Sequence, residues 1–73
     1  MNRINYITDV TPEDFKAERE KMRLSQIDLA ERLGVTATTI YRWENGLAPI
    51  SKTVVLAMRQ IKAELRKELE EDQ

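Results

Sequence analysis

The sequence contains no cysteine and no histidine. Without cysteine there is no disulfide framework, thiolate nucleophile or thiolate metal site. Without histidine the usual imidazole base and the ordinary zinc ligand sets are missing as well. No metal and no cofactor are expected, and the chain does not read as an enzyme. Its two glycines are too few for a glycine-rich phosphate loop. The carboxylates Glu13-Asp14 and Glu70-Glu71-Asp72 sit at a helix start and in a charged tail, where they cap and solvate. No apolar run approaches the roughly 18 residues of a membrane span, and nothing resembles a signal peptide. A cytoplasmic protein without a membrane partner is expected. Aromatics are scarce, with one Trp, two Tyr and one Phe, which leaves no stacking platform for single-stranded nucleic acid.

What is there fits one small domain. Its 73 residues, 41% of them hydrophobic, supply a single modest core, and so short a chain gains from dimerisation. The net charge of −1 hides a pattern. Residues 1–31 carry five basic and seven acidic side chains. Residues 32–67 carry seven basic and two acidic ones, and residues 68–73 carry four acids. A basic middle therefore lies between acidic flanks, and local charge steers an anionic partner more than the total does.

Residues 1–10 (MNRINYITDV) show no helical period, and the alternation around Arg3-Ile4-Asn5-Tyr6 suits a short extended arm. A first helix is expected over 12–22. Thr11 caps it, Pro12 takes its first position, and Glu13 and Asp14 put negative charge in its first turn. Its inner row is Phe15, Arg19 and Met22; the arginine either snorkels past its neighbours or meets a buried acid. Ser25 caps a second helix over 26–33, with Ile27, Leu29, Ala30 and Leu33 as its apolar set and Gly34 as a left-handed stop. Thr36 caps a third helix over 37–44, and Gly46 lies just past its end. Ser51 caps a fourth over 52–70. Its apolar residues are Val54, Leu56, Met58, Ile61, Leu65 and Leu69, and positions 54, 58, 61 and 65 alternate by four and three, like a coiled-coil seam. With little core expected past residue 60, Ile61, Leu65 and Leu69 are the dimer candidates. The expected architecture is all-α with four helices: an arm at 1–10, a domain at 11–60, and a helical extension with acidic tail at 61–73.

Residues 24–46, LSQIDLAERLGVTATTIYRWENG, set two short helices around a tight turn with a central glycine, a helix-turn-helix pattern. Ser25-Gln26, Leu29-Ala30, Gly34-Val35, Ile40, Trp43 and Glu44-Asn45-Gly46 together resemble the lambda-repressor-like (XRE, Cro/repressor) DNA-binding family. The likeness runs from about residue 12 to residue 60. Helical spacing puts Ala37, Thr38, Tyr41, Arg42 and Asn45 on one side of the third helix and Ile40, Trp43 and Leu47 on the other.

The resemblance implies that this helix enters the major groove of double-stranded DNA. Ala37, Thr38, Tyr41 and Arg42 then face the bases. Arg42 has the fork that matches the guanine O6/N7 edge, and Thr38 offers a hydroxyl or a methyl group. Tyr41 follows the groove wall. Ala37 makes only apolar contact where the family often carries a glutamine. Gln26 is implied as a phosphate donor, with Ser25, Thr36, Thr39, Asn45, Lys52 and Arg23 as further backbone contacts. The family pattern also pairs Arg19 with Glu44, implying a partly buried, bidentate structural ion pair. A repressor of the bacterial or phage kind, acting as a homodimer on a palindromic operator, is the expected function. The rival is a protein-binding module, such as the antitoxin of a toxin–antitoxin pair, whose fourth helix and acidic tail hold a partner protein. The polar, positive outer face of the third helix favours DNA.

Overall fold

The computed structural model describes residues 10–71. Val10 apart, the extended arm expected at 1–10 lies outside the described residues, as do the last two residues of the tail. Four helices follow in order: α1 Pro12–Lys21, α2 Gln26–Leu33, α3 Ala37–Glu44 and α4 Lys52–Glu71.

Each helix start is fixed by a side chain next to it. Thr11 Oγ1 accepts from the Asp14 N–H at 3.0 Å, and Asp14 returns a carboxylate oxygen to the Thr11 N–H at 3.3 Å. Ser25 and Asp28 repeat this reciprocal box at 3.0 and 3.2 Å. Each box satisfies two backbone N–H groups that the helix itself leaves without partners. Thr36 accepts from Thr39 N–H, and Ser51 from Val54 N–H, both at 3.2 Å.

The first three helices stop alike. An N–H two or three residues past the helix end reaches back to a carbonyl five positions earlier: Leu24 to Arg19, Val35 to Ala30, Leu47 to Arg42. This closure needs a left-handed residue at the bend. Gly34 and Gly46 supply it with φ of 76° and 71°. At the end of α1 the left-handed residue is Arg23, φ 61°. That bend stops α1 one residue earlier than the expected Met22, which becomes the cap.

Phe15, Leu29, Ala30, Ile40, Trp43, Ile50, Met58 and Ile61 form the core. The rings of Phe15 and Trp43 meet edge to face, centroids 5.7 Å apart at 67°, which adds to their area burial and ties α1 to α3. Ile61 is only 5% exposed and Leu65 packs against the cluster, so the packed region runs past residue 60. Ile61 follows Met58 by one helical turn and points the same way. It is a core residue and cannot serve as a free dimer contact.

Three other apolar residues expected on inner faces lie outside. Ile27 is 61% exposed, because on α2 it sits on the far side from Leu29 and Leu33 at about 100° per residue. Leu56 is off the Val54–Met58–Ile61 row for the same reason and is exposed. Leu47 follows the left-handed bend at Gly46, leaves the helical path and faces solvent. Among the described residues, no helix is long and apolar enough to cross a membrane.

Candidate nucleic-acid interface

Helix α3 is anchored from below. Ile40 and Trp43 are buried in the core, and Glu44 is buried beside them. Glu44 takes two bonds from Arg19 of α1: Nε to Oε2 at 2.7 Å and an Nη to Oε1 at 3.2 Å. The remaining guanidinium nitrogen donates to the Leu24 carbonyl at 2.9 Å, in the turn before α2. Arg19 thus joins α1, the α1–α2 turn and α3. The bond to Glu44 raises the arginine's pKa against the opposing effect of burial, so the cation is held charged inside the fold. Charge-assisted, two-pronged geometry of this kind fixes orientation as well as energy.

A third donor completes the Glu44 carboxylate. Gln26, the first residue of α2, donates Nε2 to Glu44 Oε1 at 3.0 Å. Three helices therefore converge on one carboxylate whose side chain is 2% exposed. Sequence reasoning missed this contact. It joins residues 18 positions apart, and no local spacing signals it.

The outward face of α3 presents Thr38, Tyr41, Arg42 and Asn45, all exposed, with Ala37 and Thr39 half-buried at its edge. The polar groups here are not equally free. Thr36 and Thr39 hydroxyls bond each other at 3.1 Å, and the Asn45 amide nitrogen donates to the Tyr41 carbonyl at 2.8 Å. Thr38, Tyr41 and Arg42 have side chains that reach outward without such ties among the described residues. Glu44 is the one acid on α3, and it is buried and neutralised by Arg19. The outer face of the helix therefore carries the Arg42 charge with no acid of its own helix beside it.

At the start of α2 stand Ser25 and Gln26, the latter bonded to Glu44 of α3; Arg23 holds the left-handed bend before them, and Lys52 opens α4. Arg23, Ser25 and Lys52 are exposed and Gln26 is half-buried. The Ser25 oxygen is occupied as a cap, which leaves its hydroxyl hydrogen for another bond, whereas the Thr36 hydroxyl both caps α3 and is shared with Thr39. Elsewhere, Lys62 of α4 reaches Glu18 of α1 at 3.1 Å. That bond, with Lys21 nearby, holds the Glu18 carboxyl below its ordinary pKa.

Two helices set around a glycine turn, the second pinned to the core and polar outside, define a helix-turn-helix DNA-binding domain. The helix-turn-helix family model matches residues 15–61, more than half of the chain. The chain belongs to the lambda-repressor-like (XRE) helix-turn-helix family, a family of DNA-binding transcription regulators. No match was found among curated proteins or among solved structures.

Proposed function

We propose that the chain is a sequence-specific repressor that binds a palindromic operator as a homodimer, with α3 in the major groove. The observation that carries this reading is the division of α3. Its inner side is locked by Ile40, Trp43 and the Arg19–Glu44 pair, while Thr38, Tyr41 and Arg42 stand free on the outside. A rigid helix with a polar, positive outer face fits the groove and needs little ordering on binding.

Arg42 reads a guanine through its fork, Thr38 contacts a neighbouring base or a thymine methyl, and Tyr41 lies along the groove wall. Ala37 adds only apolar contact. Gln26, Ser25, Arg23 and Lys52 hold phosphates on either side and set the register; Thr36, Thr39 and Asn45 line the same edge. Two copies joined through the outer half of α4, at Leu65 and Leu69, place two such helices about one DNA turn, or a multiple of it, apart. A dimer bound at a promoter then excludes polymerase.

The test is selection of bound duplexes from a random pool. An enriched palindrome supports both the reading and its symmetry. A pool that shows no enrichment refutes sequence-specific binding.

A second reading, a partner protein such as a toxin seated on α4, is favoured by exposed Leu56 and Leu69 on that helix. It leaves the DNA-facing side of α3 free and is compatible with autoregulation.

A further inference from the structure

We infer that Glu44 acts on DNA binding as well as on folding, by aiming Gln26 at the phosphate backbone. The inference rests on the DNA-binding reading above and adds a positioning residue to it.

A glutamine at the first position of a surface helix ordinarily samples several rotamers, and its amide can turn either way. Neither freedom exists here. The Glu44 carboxylate only accepts, so the nitrogen end of the Gln26 amide must face inward, toward Oε1 at 3.0 Å. The same Oε1 also receives an Arg19 nitrogen at 3.2 Å, and Oε2 receives the other at 2.7 Å. The carboxylate cannot swing away without losing both arginine bonds. It is therefore a fixed anchor, and the amide of Gln26 is fixed in turn.

One amide hydrogen of Gln26 is used on Glu44. The second has no partner among the described residues, and Gln26 is half-buried, not enclosed. That hydrogen is the donor available to a phosphate. Its direction is set by the bond to Glu44 before DNA arrives. A donor ordered in advance saves the rotamer freedom that a mobile glutamine loses on contact. Arg19 contributes one step further back, by holding the carboxylate.

A double-mutant cycle between Gln26 and Glu44 tests this on the full chain. Affinity is measured for Glu44→Gln, Gln26→Ala and the double variant, on a selected operator and on a random-sequence duplex, at a temperature where circular dichroism shows each protein folded. Glu44→Gln is expected to weaken binding to both duplexes by the same factor, about three- to tenfold, because a phosphate contact carries no base preference. The same change made on top of Gln26→Ala is expected to cost nothing further. An equal loss in both backgrounds overturns the inference, since Glu44 would then act through the fold or the tilt of α3. A change in base preference overturns it in the same way.

Should Glu44→Gln fail to fold, the wild-type protein still decides the matter by nuclear magnetic resonance. The Gln26 side-chain amide is expected to be as rigid as the backbone in the DNA-free protein. A mobile amide there overturns the inference. Wild-type protein that binds no duplex refutes the DNA-binding reading itself; wild-type binding with an uncoupled cycle refutes only the role of Glu44.

Discussion

Replacing Arg23 by glycine should make the protein more stable and a poorer DNA binder at once. Among the described residues, three bends use a left-handed residue, and two of these residues are glycine. Arg23 adopts φ 61° with a Cβ attached, a conformation that costs an L-residue about 1–2 kcal/mol. Glycine removes that strain but has more freedom to lose on folding, worth about 0.5–1 kcal/mol. The net expectation is a gain of about 0.5–1 kcal/mol, or a rise in Tm of a few degrees for a domain this small. The exposed cation beside the start of α2 is lost, so the slope of log affinity against log salt should fall by about one. Arg23→Ala is the control: it loses the cation and keeps the left-handed cost, so it should bind as poorly as the glycine variant and melt below it. A thermal melt and a salt titration on one operator duplex measure both effects. If Arg23→Gly melts lower than wild type, the backbone argument is wrong. If its salt slope is unchanged, Arg23 touches no phosphate.

Other expectations follow from the same structure. Arg42→Ala should cost about 1–3 kcal/mol on the selected operator and much less on random DNA; equal losses on both would remove its reading role. Glu44→Ala leaves the Arg19 cation buried beside Leu24 and should destabilise the fold by about 3–5 kcal/mol in a denaturant titration, with an unchanged midpoint as the refuting result. Leu69→Lys should shift sedimentation toward the monomer. It is cleaner than Leu65→Asp, because Leu65 also packs on the core. The Glu18–Lys62 bond depresses the Glu18 pKa, so the folded state holds the carboxylate more strongly than the unfolded chain does. Its stabilisation is present above the unfolded value of about 4.3 and is lost as pH falls below that. Both side chains are well exposed, which limits the effect to about 1 kcal/mol or less. Lys62→Gln should flatten the acid limb of stability against pH between about 4.3 and the lowered value; an identical limb would show that the bridge is screened out in solution.

Most of the fold was legible because its signals are local. Thr11, Ser25, Thr36 and Ser51 cap within three residues, Pro12 opens a helix, and Gly34 and Gly46 close two. The third helix divides by its period, and the exposure of Thr38, Tyr41 and Arg42 follows that division. Hydropathy alone misplaced Ile27, Leu47 and Leu56, since an apolar residue one position off a stripe looks the same in a sequence as one on it. Ile61 reads as outward for a different reason: nothing local in the sequence marks how far the core extends along α4. The end of α1 was missed by one residue because its left-handed bend uses an arginine. The Arg19–Glu44 partnership could be reached only through family likeness, and the Gln26–Glu44 bond not at all, because both join residues far apart in the chain.

Helix α4 continues well beyond the last core residue. Among the described hydrophobic residues after Ile61, Leu65 alone packs against the cluster, and Leu69 is 67% exposed. Beyond Leu65 no described apolar residue packs on the core, and a helix end left without such support is marginal in water. Its backbone amides should therefore exchange with solvent hydrogen quickly in a lone copy and slowly once a neighbour covers Leu69. The exchange rate over residues 66–70 then becomes an internal gauge of self-association, readable at each protein concentration without any mutation or label. In the proposed dimer, pairing and helix formation are coupled at this end, so dilution should loosen the outer turns of α4 while α1 to α3 keep their shape.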